Sequence, residues 1–283
     1  MSYKYSDLFC RRTLDSKFST TITFIKDCRR PVLRTLSVFL IPLCFIQTLY
    51  NSLVGDSFWS TGSIKDVPTF AFDLLVMILI DAVAFITIIT IVYGMMKLYH
   101  SRNENKRHDF MIKMSLNGIL DAIHTQPRAI WHTMVSILLL CVLLLAIACI
   151  GGVTAGVMYA AINGDETSLF IIGMTFGVLL LLAVPFWILA VPAYSFEKLG
   201  FWNGLMRGFH YGIRTWGSVI VIMTTYLLLD FIVTLPFSLW HSPITNFLTN
   251  YITYLIEASC FITLGYQYGH AKAKIGNKAK ITT

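Results

Sequence analysis

Long apolar runs alternate along this chain with shorter polar and basic segments. Six runs are long enough to carry a helix across a hydrocarbon core: Leu33 to Leu53, Pro68 to Met95, Ala129 to Ala160, Leu169 to Ala193, Thr215 to Leu239 and Asn246 to Tyr268. About 20 residues at 1.5 Å rise cover the roughly 30 Å of a bilayer interior. Backbone N–H and C=O groups find no water there, so a spanning segment must satisfy its own hydrogen bonds as a helix or close into a barrel. Runs of this length predict an all-α polytopic membrane protein with six transmembrane helices, forming one integral membrane domain over residues 1–283.

The segments ahead of spans one, three and five carry a different period. Leu116, Ile119, Leu120 and Ile123 stand at the i, i+3, i+4, i+7 positions of one helix face, and so do Trp202, Leu205, Met206 and Phe209. Placing Asn117 over Asn203 also aligns Gly118 with Gly204, His124 with His210 and Arg128 with Arg214. A third copy supplies Phe18, Thr21, Ile22 and Ile25, with Thr21 as its one departure from the apolar pattern. Each copy ends in a helix breaker and an arginine: Arg30-Pro31, Pro127-Arg128, and Gly212 with Arg214. The expected unit is an elbow, in which an amphipathic helix lies on the cytoplasmic leaflet, the breaker turns the chain, and one span leads out and the next back. Three such hairpins in parallel orientation give repeat units over residues 12–97, 110–193 and 197–270, followed by a basic cytoplasmic tail, 271–283.

Composition agrees with this class. Hydrophobic residues make up 56% of the chain and charged residues 13%, whereas soluble domains are about a quarter charged. The net charge of +7 is distributed by side. Eight Lys and Arg precede Val32 or stand at Arg34, six lie in Lys97 to Arg128, three in Glu197 to Arg214 and four in the tail, while Lys65 alone falls on the other side. Loops rich in Lys and Arg stay inside, so both termini are expected in the cytoplasm and the protein in the cell (inner) membrane. The basic charge is therefore a topology signal, and no nucleic-acid partner is expected. The residues before Pro31 lack the apolar core and cleavage site of a secretory signal and are expected to stay in the mature chain.

Small residues recur at four-residue intervals on spans three and four, at Gly152 and Gly156 and at Gly173 and Gly177. That spacing lets helix backbones approach closely in lipid, so these glycines are expected to pack helices. The Lys97–Gln126 connection is the longest on the cytoplasmic side and is the expected surface for a protein partner.

With basic amphipathic segments ahead of spans one, three and five and both termini on the basic side, the whole chain resembles a group of bacterial six-span membrane proteins. That group includes the membrane region attached to some glycerophosphodiester phosphodiesterases. The resemblance implies membrane residence and a lipid-related or accessory role. No soluble segment here is long enough to match the family's phosphodiesterase domain, so no active-site residues carry over.

Four acids fall inside the spans: Asp73, Asp81, Asp230 and Glu257. A charged group at a span centre costs roughly 2.5 to 3.5 kcal/mol, so each needs a reason. Asp81, Asp230 and Glu257 lie at similar depth and are candidates for a shared proton or cation site; Asp73 lies nearer the outer surface. The competing reading is that neighbouring polar side chains, Thr87, Thr224, Thr225, Tyr226, Thr253 or Tyr254, hold each acid and fix the packing. Arg30, His124, Arg128, His210 and Arg214 are candidates for contact with lipid phosphate, because they stand at the elbows where headgroups lie. The sequence holds no GxSxG, HExxH, Walker loop or GxGxxG after a strand, and no Cys or His spacing suited to zinc. No enzyme activity, cofactor or metal is expected. The function expected is a membrane scaffold or accessory protein that binds lipid or a partner; the alternative is a proton- or cation-coupled transporter or channel using the intramembrane carboxylates.

Overall fold

The computed structural model describes residues 8–59, 67–100, 127–136, 138–139, 187–197, 199–240 and 242–279. All regular structure among them is helical: α1 (Leu14–Trp59), α2 (Val67–Tyr99), α3 (residues 127–136), α4 (Ala190–Glu197), α5 (Phe201–Ser238) and α6 (Pro243–Ala279). Four helices are long and apolar enough to cross a membrane, over Leu14–Tyr50, Leu79–Lys97, Phe201–Phe237 and Pro243–Lys274. They contain all or part of expected spans one, two, five and six. Spans three and four lie mostly outside the described residues, as do Gly152, Gly156, Gly173, Gly177 and the loop residues 101–126.

The chain divides into two compact units, Met1–Pro127 with Val221–Thr283, and Arg128–Ile220. In the first, α6 packs against both α1 and α2, which also pack on each other. Thr13 caps α1, its hydroxyl accepting the Ser16 N–H at 3.4 Å, which satisfies one of the donors that the first turn leaves open. The packed face of α1 then recurs every three or four residues through Lys17, Thr21, Phe24, Cys28, Val32, Leu36, Leu40, Cys44 and Gln47, all buried. Its opposite face exposes Leu33, Val38, Ile41, Phe45 and Leu49. Large apolar side chains thus line the outward face, while Lys17, Thr21 and Gln47 are among the residues turned inward, an arrangement suited to a helix bathed in lipid.

The first copy of the repeated segment departs from expectation here. The break anticipated at Arg30-Pro31 does not occur: α1 runs as one 46-residue helix with Pro31 and Pro42 inside it. A proline removes one backbone hydrogen bond and crowds one carbonyl. Cys28 and Val32, buried on either side of Pro31, hold the flanking turns, and Pro42 stands on the exposed side of the helix. Thr21, the departure from the apolar pattern, is a packed residue, its hydroxyl 2.9 Å from that of Thr263, whereas Ile22 is exposed.

The C-terminal half of α6 is buried around its whole circumference from Phe261 to Gly269. Gly265 lets α2 approach: a Cβ there would stand 2.8 Å from the methyl carbon of Met96 and 3.2 Å from the Tyr93 ring.

In the second unit, α4 follows a turn at Leu189, and Pro192 sits in its first turn, where a missing N–H costs least. Gly204 meets the ring of Tyr194, and Gly208 meets the backbone of Ala190. Gly204, Gly208 and Gly212 are all buried, at the four-residue interval that brings helices close. Tyr194 donates to the Phe201 carbonyl at 3.2 Å and accepts from Ser136 of α3 at 2.9 Å. Arg207 pairs with Glu197. Thr215 leaves helical geometry (φ −125°, ψ 17°) inside α5, directly after Arg214, so the third copy of the repeated segment does end in a break.

Candidate functional site

Three acids of the candidate spans, Asp81, Asp230 and Glu257, come together along one stretch of α6. Tyr254 and Gln47 both reach Asp81: the tyrosine hydroxyl lies 3.0 Å from Asp81 Oδ1, and the Gln47 amide nitrogen donates to the same oxygen at 3.1 Å. The Tyr254 hydroxyl also lies 3.0 Å from Gln47 Oε1. One residue earlier on α6, Thr253 donates to Asp230 Oδ1 at 2.8 Å. One turn further on, Glu257 stands near both Asp81 and Asp230 and has no hydrogen-bond partner among the described residues. The α1, α2, α5 and α6 helices each supply at least one member. Gln47 and Tyr254 are buried, Asp230 and Glu257 half-buried, and Asp81 keeps an exposed flank.

Of the polar partners anticipated from sequence, Thr253 and Tyr254 hold acids. Thr87 and Thr225 instead donate to backbone carbonyls one turn back in their own helices, and Tyr226 pairs with Thr263 at 2.8 Å. Gln47 was visible only as an isolated amide in an apolar run; nothing in its spacing tied it to Asp81, which is far away in sequence. Arg30, Arg128, His210 and Arg214 are exposed, open to headgroups or water, while His124 lies outside the described residues. So does the side chain of Asp73. Among the described residues no group of His, Cys, Asp and Glu is arranged to hold a metal ion.

Counting hydrogens shows what the Asp81 triangle can do. Three close approaches join Asp81, Gln47 and Tyr254. The Gln47 amide supplies a hydrogen for one edge and the Tyr254 hydroxyl, with its single hydrogen, for one more. The third edge closes only when Asp81 itself carries a proton and donates it to the tyrosine oxygen. When Asp81 loses that proton, Tyr254 turns its hydrogen to the carboxylate and Gln47 Oε1 loses its donor. Exchanging the oxygen and nitrogen of the Gln47 amide leaves the count unchanged. A change in the protonation of Asp81 would rearrange hydrogen bonds that link α1, α2 and α6.

Comparison with family models, with curated proteins and with solved structures found no match for this chain.

Proposed function

We propose that this is an integral membrane protein that takes up and releases a proton at the Asp81–Asp230–Glu257 cluster, and that this step drives transport across the membrane. The observation that carries the reading is the convergence of three intramembrane carboxylates on residues 253–257 of α6, with one hydrogen too few for the ionised triangle. Asp81 and Asp230 also tie helices together, so they contribute to packing as well. Glu257, without a hydrogen-bond partner among the described residues, is the acid freest to exchange its proton. The test is pH-driven proton flux into proteoliposomes. The wild type should exceed protein-free vesicles, and Glu257→Gln and Asp81→Asn, shown to be folded, should abolish the excess. Flux equal to that of empty vesicles, or undiminished in both variants, overturns the proposal.

A second reading, a lipid-binding scaffold, draws on the first half of α5. There Trp202, Met206, Phe209 and Ile213 are exposed along one side, with His210 and Arg214 exposed beside them. An apolar face bordered by basic and polar groups suits the headgroup boundary of a leaflet. This reading would accord with the resemblance to the membrane region of glycerophosphodiester phosphodiesterases, with three parallel hairpins and both termini cytoplasmic in the inner membrane as the expected layout. It leaves the gathered acids without a role beyond packing, which is why transport is preferred.

A further inference from the structure

Two buried polar groups beside the Asp81 triangle are left over by its hydrogen bonds. Thr48 follows Gln47 on α1 and is only 7% exposed, yet its hydroxyl oxygen has no partner among the described residues. Nor has the Asn250 amide nitrogen, a buried atom one turn before Tyr254 on α6. The bond between Tyr254 and Gln47 joins these two turns. Helical threonines ordinarily return their hydrogen to a carbonyl one turn back, as Thr21, Thr87, Thr90 and Thr234 do here. Thr48 does not. A buried polar atom without a partner carries a desolvation cost, and native structures leave few of them, so two on joined turns of one cluster point to a ligand.

The triangle adds two oxygens. Asp81 makes its bonds through Oδ1, while Oδ2 has none among the described residues, and the residue keeps an exposed flank. With Asp81 ionised, Gln47 Oε1 is also without a donor, because the single hydrogen of Tyr254 goes to the carboxylate. Carboxylate, amide and hydroxyl oxygens then stand free on α1 and α2. Turning the Asn250 amide about its last bond presents a further oxygen from α6, in place of a nitrogen that has no acceptor among the described residues. Oxygen donors of this kind are what hard cations take. The charge decides which. Asp230 is engaged by Thr253, and Glu257 stands on the turn after Tyr254, away from Asn250, so one negative charge serves these oxygens. A calcium-type ion takes about six to eight oxygens, with carboxylates among them, and softer metals need the His and Cys groupings that the described residues lack. One carboxylate among neutral oxygens matches a single positive charge.

We propose that Gln47, Thr48, Asp81 and Asn250 form a binding site for a small monovalent cation, Na+ or K+. Its role as cargo rests on the transport reading of the neighbouring acids; its binding does not. The test is thermal unfolding of the full chain in detergent at alkaline pH, against rising NaCl, KCl or, as the reference at matched ionic strength, choline chloride, whose cation is too bulky for such a site. Na+ or K+ should raise the midpoint above choline, saturably. Thr48→Val keeps the shape and removes only the hydroxyl, which has no partner among the described residues, so a purely structural threonine would lose nothing by the change. Even outer partners of metal ligands are worth about 10–100-fold in affinity, so the loss of a direct ligand in Thr48→Val should weaken cation binding by roughly tenfold or more, and Thr48→Ser should restore it. Asn250→Leu should weaken it likewise. Equal midpoints in the three salts, or wild-type affinity in both Thr48→Val and Asn250→Leu, overturns the proposal. Equal midpoints alongside a proton flux that Glu257→Gln abolishes remove the cation site and leave the transport reading standing, whereas cation stabilisation without proton flux keeps the site and removes that reading.

Discussion

The close approach of α4 and α5 at Gly208 can be tested against a glycine on the same helix that touches nothing. A Cβ added at Gly208 would stand 2.7 Å from Ala190 Cβ and closer still to the Ala190 backbone. Carbon atoms rest at about 3.5–4.0 Å, so Gly208→Ala requires the two backbones to separate locally by about 1 Å. No flexible side-chain tip can yield instead, because the obstructing atoms are backbone. Overpacking of this kind costs about 1–3 kcal/mol. Replacing glycine by alanine in a helix also gains about 0.8–1.0 kcal/mol of propensity, which would blur a single measurement. Gly217, with nothing within 4 Å of its added Cβ, supplies the control. Gly217→Ala gains the propensity term alone, so the difference between the two variants isolates the packing term. Thermal unfolding in detergent, followed by tryptophan fluorescence, should place Gly208→Ala below Gly217→Ala by several degrees, at about 2–4 °C per kcal/mol for a chain of some 150–250 residues or slightly more. Equal midpoints, or a more stable Gly208→Ala, would refute the close approach.

Two further outcomes follow from the same geometry. In a double-mutant cycle, Asp81→Asn and Tyr254→Phe should be non-additive, with a coupling of roughly 0.6–1.7 kcal/mol as found for interhelical hydrogen bonds in membranes; strict additivity in unfolding from mixed micelles would remove the triangle. Single cysteines at Ser57, Asn163 and Ser242, in a background without the native cysteines, should react with an impermeant reagent from outside the cell only, and labelling from the cytoplasm would invert the proposed topology.

Length and apolarity of the runs made the spanning helices legible, because a bilayer leaves a backbone so few ways to satisfy itself. They also marked Asp81, Asp230 and Glu257 as anomalies, since acids are rare in hydrocarbon. The break expected at Gly212 with Arg214 appears three residues past the glycine, at Thr215. The similar prolyl signal at Pro31 was misleading, because whether a helix breaks there depends on what grips the turns on each side.

Which face of a helix packs was decided by tertiary structure. In water, the apolar stripe turns inward because burial is favourable, and a periodic pattern therefore names the core. In lipid, that driving force between helices is absent, and close packing and interhelical hydrogen bonds take its place. So Ile22, Phe45, Trp202 and Met206 face outward, while Thr21, Gln47, Gly204 and Gly208 face their neighbours. The same reversal placed Gln47 beside Asp81 and Thr21 beside Thr263. Such partners lie on separate helices, and no local spacing records which helices meet. The sequence by itself determined that the chain holds helices long and apolar enough to cross a membrane and where its costly charges stand. Only the assembly of the helices determined which of those charges share a site.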